Sequence, residues 1–272
     1  HDLAQGYIHQ SYPNGNIGPD AIEREFKVIT DTIINPRKIQ EILTHSKYRF
    51  ACGVVRCHGG LAQESQWRQK LASVGAALKN IKGRSGLINT LDRVVFCDPR
   101  AEFPIKGLDG YRTQSVELNS DNFYDAISAS GAIPVYMHGI RDIAGAGTGM
   151  YRDGGLLDYH PVPGNVWDNE ELILYPHFYP HCKEGWFDKL HSKRKASAEL
   201  MRNVIMISPS QKFLDSTELG RIPDRKDFIT YANNDAERIR LWQQVVERTQ
   251  EMGEEFLTLT RSQDWARVLK DI

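Results

Sequence analysis

An acid set directly before two glycines, and fixed on its far side by apolar residues, presents one carboxylate from a tight, anchored turn. Tyr151-Arg152-Asp153-Gly154-Gly155-Leu156-Leu157-Asp158 has this form. Gly154 and Gly155 are read as residues free to adopt positive φ, which holds the Asp153 carboxylate at a fixed angle. Upstream, Ser128-Ala129-Ser130-Gly131-Ala132-Ile133-Pro134 reads as a small-residue helix end turning into an apolar stretch, with close backbone packing. Between them Gly145, Gly147 and Gly149 form a flexible or sharply turned connector. An Asp before Gly also occurs in plain turns, and a helix stop needs no site beside it.

The rest of the chain places this segment in an α/β fold. Helical stretches over 20–34 and 37–45 lead into an apolar, β-rich run over 48–56. A further helix over 66–78 precedes strand-like runs at 93–97 and 113–118, which are expected to neighbour each other. A short helix starts near Ser120 and stops at Gly131; strands follow at 172–175 and 203–207. A long amphipathic helix begins near Asp235, with Ile239, Trp242 and Val246 on one face. No repeat or linker divides the chain, so residues 1–272 are read as one domain.

Composition removes several function classes. A formal net charge of −1 leaves no long-range positive field to gather a polynucleotide, so no nucleic-acid partner is expected. No apolar run approaches the length a membrane-spanning helix needs, which leaves peripheral membrane contact. Four dispersed cysteines lack the density of a secreted disulfide scaffold and fit reduced thiols in a cytoplasmic protein.

The block Ala129 to Pro134, followed by Tyr151 to Asp158, resembles the patatin-like phospholipase family, where similar blocks stand in this order. The resemblance is strongest over 124–162, and the stretches 175–180 and 185–188 are similar to bacterial members. It implies a three-layer α/β/α fold with a central, mainly parallel sheet, the N-terminal part of which is missing here. It implies Asp153 as the catalytic base of a Ser-Asp dyad, with Gly154, Gly155 and Pro134 shaping the loop or contacting substrate. The implied chemistry is hydrolysis of a lipid or small acyl ester, without cofactor or metal.

The family's G-x-S-x-G elbow is absent from the chain. Gly83-Arg84-Ser85-Gly86-Leu87 has its second glycine one place early and follows a helix rather than a strand. No glycine-rich oxyanion segment exists either; Cys57-His58-Gly59-Gly60 does not substitute for it. The expectation is that both lie before His1 and that this chain alone is inactive, the alternative being a patatin-fold protein that binds without turnover.

Other groupings have plainer readings. His177, His181 and Cys182 are at metal-ligand spacing, but Pro176 and Pro180 break the helix that would align them. Cys57 and His58 are adjacent strand residues that point apart, so Cys57 is read as a buried filler. The run 145–149 leads into no helix and is read as a mobile connector rather than a phosphate cradle. Lys189, Lys193, Arg194 and Lys195 form a basic cluster, a solvated loop or a contact for anionic headgroups. His138 and His160 are read as packed or supporting histidines.

Overall fold

The computed structural model describes residues 2–15, 17–101, 109–161, 172–196, 198 and 201–269. Val162, the last residue of the 124–162 stretch, lies outside them. The first elements are α1 (Asp2–Ile8), α2 (Pro19–Ile33), α3 (Pro36–Thr44), β1 (Ala51–Cys57), α4 (Gln66–Asn80), β2 (Leu91–Cys97), β3 (Thr113–Glu117) and α5 (Phe123–Ser130). There follow β4 (Ile140–Arg141), β5 (Met150–Asp153), β6 (Ile173–Pro176), β7 (Val204–Ile207), α6 (Gln211–Asp215), α7 (Asp227–Thr230) and α8 (Asp235–Ser262). No helix among the described residues is long and apolar enough to cross a membrane. All four cysteines are free thiols and buried.

The chain divides into two compact units, one of Gly18–Leu172 with Cys182–Val204, the other of His1–Ile17, Ile173–His181 and Ile205–Ile272. The larger is α/β. Its sheet runs β3-β2-β1-β5-β4. Cys52, Val54, Val94 and Phe96 point to one face and join Phe123, Ala126 and Ala129 of α5, with Ile39, Ile42 and Leu43 of α3 packed against them. Val55, Cys57 and Leu91 point to the other face, where they meet Ala76 of α4, Leu87 and Leu156. The two-residue alternation along β1 is what divides the core into these layers.

The sheet is mixed. β2 and β3 pair in parallel, as neighbours, while β1 pairs antiparallel with both β2 and β5, and β4 pairs antiparallel with β5. A mainly parallel sheet was implied by the resemblance. The difference at β1 and β2 follows from their connection: the chain leaves β1 at Cys57 and re-enters opposite it at Leu91. His58 N–H donates to Thr90 O at 2.9 Å, so α4 makes an excursion that ends where it began. Parallel pairing would need a crossover to the far end.

β2 is buried along its whole length despite Asp92 and Arg93. Arg93 meets Asp158 with Nε and Nη2 at 2.7 and 2.8 Å, and Asp109 with Nη1 and Nη2 at 3.1 and 2.6 Å. Such two-pronged pairing satisfies a guanidinium taken out of water. Burial raises the Asp109 carboxyl, but hydrogen bonds and charge from Arg93, with the Arg84 charge, outweigh it and hold the carboxyl below its usual range.

In the smaller unit, β6 pairs with β7, and α8 buries Arg238, Leu241, Trp242 and Val245. Val246, placed on the inner face by the sequence pattern, is exposed. The face turns because Arg238 is drawn inside. Its guanidinium lies over Phe228 at 4.4 Å and donates to Ile8 O and Gln10 O at 2.8 and 2.6 Å. A hydropathy pattern assigns such a residue to solvent.

Just past β5, a Cβ on Gly154 would stand 2.3 Å from Gly53 O and 2.7 Å from its carbonyl carbon. A Cβ on Gly53 itself would meet nothing within 4 Å. Gly154→Ala is therefore expected to lose about 3 kcal/mol in urea unfolding, and Gly53→Ala to stay within about 0.5 kcal/mol of wild type. Equal losses would show that the space around Gly154 can relax.

Candidate active site around Asp153

Asp153 ends β5 opposite Val54 of β1. Its N–H donates to Ala132 O at 3.2 Å, and its Oδ1 accepts the Gly155 N–H at 2.7 Å. That bond caps the 3-10 turn Gly154–Leu156, whose apolar end, Leu156 and Leu157, is buried. The acid is half-buried and its orientation is set on both sides. Neither Gly154 nor Gly155 has positive φ, contrary to the sequence reading. Glycine is needed for space: Gly154 meets the Gly53 carbonyl, and a Cβ on Gly155 would lie 3.0 Å from Asp153 Oδ1.

The preceding residue, Arg152, has no exposed surface. It donates to Leu61 O at 3.0 Å, Met137 O at 3.1 Å and Gln63 O at 3.1 Å. Burial lowers its pKa from the ordinary arginine value. Consecutive residues of β5 thus fasten both ends of the 132–137 loop. Pro134 is buried within that loop, and Val135 beyond it takes φ of 75°, a costly conformation for a β-branched residue. Gln69, 1% exposed, holds it there by accepting the Val135 N–H at 2.5 Å.

Ser130 and Cys52 also stand near the acid, and sequence reasoning passed over both. Burial pushes the Cys52 thiol up, a hydrogen bond from Ser130 opposes this, and the Asp153 charge adds to it. Ser130 Oγ donates to Gly53 O at 2.9 Å. As the last residue of α5 it faces carbonyls, not the N–H groups an oxyanion requires. The connector 145–149 is fastened rather than mobile. Tyr151 Oη lies 2.8 Å from both Ala146 O and Gly147 O and shares its one proton between them, and Arg56 also donates to Ala146 O. Positive φ at Gly145 and Gly147 makes the sharp turn.

A cavity of about 230 Å³ is lined by residues including Asp20, Glu64, Gln69, Val135 and His138. Asp153 is not among them. His138, read from the sequence as packed or supporting, stands exposed at its rim. Its Nε2 meets Asp20 Oδ1 at 3.0 Å and its Nδ1 meets Glu64 Oε2 at 3.3 Å. Asp20, Glu23 and His138 are the one His/Cys/Asp/Glu trio at metal-ligand spacing among the described residues, all of them exposed.

The remaining groupings serve the fold. Burial pushes the Cys57 thiol up to about 12, while His58 Nε2 pairs with Asp92 Oδ2 at 2.8 Å. His177 Nδ1 accepts the Tyr179 N–H at 3.1 Å, and the His181 ring stacks on Tyr179. His160 is buried, its Nδ1 accepting the Lys183 N–H at 2.8 Å. In the basic cluster, Lys189 Nζ reaches Tyr159 Oη at 3.1 Å, and Arg194 pairs with Asp188 at 3.1 Å.

The hydrogen bond to Asp20 raises the His138 pKa; partial burial opposes it, and Glu64 adds to the rise. The raised value means this contact stabilises the fold fully below about pH 6.5 and is lost as pH climbs through the folded value. NMR titration is expected to place His138 above 6.5, with Asp20→Asn bringing it down. A titration at or below 6.5 in wild type would exclude the pairing.

The chain matches no family model, no curated protein and no solved structure.

Proposed function

We propose that this chain carries the general-base portion of a patatin-like serine acyl hydrolase acting on lipid or small acyl esters. What supports the reading is the fixed carboxylate of Asp153, held by the Gly155 N–H at 2.7 Å in a turn that admits no side chain at Gly154. A base must be oriented before it can take a proton in the transition state. The blocks around Pro134 and Asp153, in the family's order, supply the family-level part of the proposal.

In this reading the nucleophilic serine and the oxyanion donors come from polypeptide outside residues 1–272, since neither a G-x-S-x-G elbow nor a glycine-rich oxyanion segment occurs within them. The serine Oγ attacks the ester carbonyl while its proton passes to Asp153. The tetrahedral intermediate collapses, and the leaving alkoxide takes that proton. Water then attacks the acyl-enzyme, Asp153 accepts its proton, and collapse returns a proton to the serine and releases the acid. Arg152, Gln69 and the two glycines hold the base in place.

Fluorophosphonate labelling and ester hydrolysis are to be measured on the intact gene product, its Asp153→Asn variant and the 272-residue chain. Only the intact wild type is expected to label and turn over, with Asp153→Asn at least about a thousandfold slower. Failure of the intact protein in both assays would replace the enzyme with a binding protein. Asp153-dependent turnover by the 272-residue chain would place the nucleophile inside it.

A further inference from the structure

α4 carries an apolar stripe on the face turned away from the sheet. Trp67, Leu71, Val74, Leu78 and Ile81 are 61%, 62%, 60%, 61% and 56% exposed. Ile81, at the C-cap, keeps helical dihedrals. At about 100° per residue the five side chains fall within an arc of about 80°. The buried residues of the helix, Gln69, Ala76 and Asn80, lie opposite. Isolated exposed apolar residues are ordinary; a row of five over four turns marks a surface that something covers.

The charge beside the stripe identifies the cover. From Gln66 to Thr90 the chain holds Arg68, Lys70, Lys79, Lys82 and Arg84 and no acid, although the whole chain is nearly neutral at −1. Arg84 is taken up by Glu184. Arg68, Lys70, Lys79 and Lys82 are exposed and enter no ion pair among the described residues. Lys70 flanks the stripe about 60° to one side of its centre, Arg68 and Lys79 lie farther round on the other, and Lys82 follows directly after its last residue, Ile81. Apolar residues with a Trp at one end, bordered by cations, match an anionic bilayer: the side chains enter the acyl boundary and the cations stay at headgroup level.

We infer that α4 is an interfacial helix that docks the protein on an anionic lipid surface through Trp67, Leu71, Val74, Leu78 and Ile81. This docking stands apart from the hydrolase reading, because none of its residues is the base. The basic cluster at 189–195 is a weaker candidate, with Lys189 and Arg194 already engaged within the fold.

Co-sedimentation of the protein with phosphatidylcholine vesicles, with and without phosphatidylglycerol, tests this. Binding is expected with the anionic vesicles and to weaken in high salt. Leu71→Ser/Leu78→Ser is expected to lower the partition coefficient at least about tenfold, and Val28→Ser, at another exposed apolar position, to leave it unchanged. Lys70→Gln/Lys79→Gln/Lys82→Gln should remove the preference for anionic lipid, which keeps the test open if the leucine variant does not fold. Asp153→Asn should bind vesicles as wild type does, so docking and hydrolysis fail separately. No vesicle binding, equal binding to neutral vesicles, or a dimer by light scattering that the leucine variant dissolves without any lipid affinity would each overturn the inference.

Discussion

Arg152 is a cation with no contact to water, and the surroundings of Asp153 are arranged to make that tolerable. Removing a guanidinium from water costs several kcal/mol unless its donors are satisfied. Here a backbone carbonyl takes one N–H from each of its three nitrogens, from Leu61, Met137 and Gln63, with Glu64 Oε2 at 3.7 Å as counter-charge. These carbonyls come from segments about 75 residues apart in sequence. Once the guanidinium holds them, the segment after β1, the 132–137 loop and β5 can sit in only one relation. The Asp153 N–H then falls opposite Ala132 O, and the direction of its carboxylate follows.

Several of these relations were legible in the sequence. The helical spans near 20–34, 37–45 and 66–78 reappear within a residue or two, because apolar spacing is a local property, as are Pro19 and Pro36 at the starts of the first two. The turn at Asp153 was legible as an anchored turn, for the same reason. The cause of its glycines was not. Positive φ is the usual demand on a Gly-Gly pair, whereas Gly154 is constrained by the Gly53 carbonyl of a strand about 100 residues away. Sequence spacing does not reveal a close approach between strands until their pairing is known. The antiparallel return from α4 to β2 was hidden likewise, since a helix between two strands is compatible with an excursion and with a crossover.

Buried charge was the other blind spot. Arg93, Arg152 and Arg238 are all under 5% exposed, yet hydropathy places arginine at the surface. One signal was present for two of them: each occupies a strand otherwise built to be buried, in Leu91-Asp92-Arg93-Val94-Val95 and Met150-Tyr151-Arg152-Asp153. A charged side chain within an apolar strand implies partners at the sheet face, but not which ones. Arg93 takes the carboxylates of Asp109 and Asp158, while Arg152 takes carbonyls, and nothing local distinguishes these outcomes.

One carbonyl joins the outer helix to the site. Gln63 O accepts from Arg152 Nη2 at 3.1 Å and from Gln69 Nε2 at 2.8 Å. Through the first bond it is fixed to β5, one residue from the acid; through the second it is fixed to α4. Gln69 also reaches the 132–137 loop through the Val135 N–H, so the inner face of α4 holds the loop that Asp153 rests on, while its outer face carries the apolar stripe. A rotation of α4 would pull on Gln63 O and Val135 together; Gln63 O is bonded to Arg152, and the loop that holds Val135 is bonded to Arg152 and Asp153 through Met137 O and Ala132 O. The helix is therefore not an independent appendage: its inner polar residues set its angle to β5, and that angle determines where the stripe points when the base is in place.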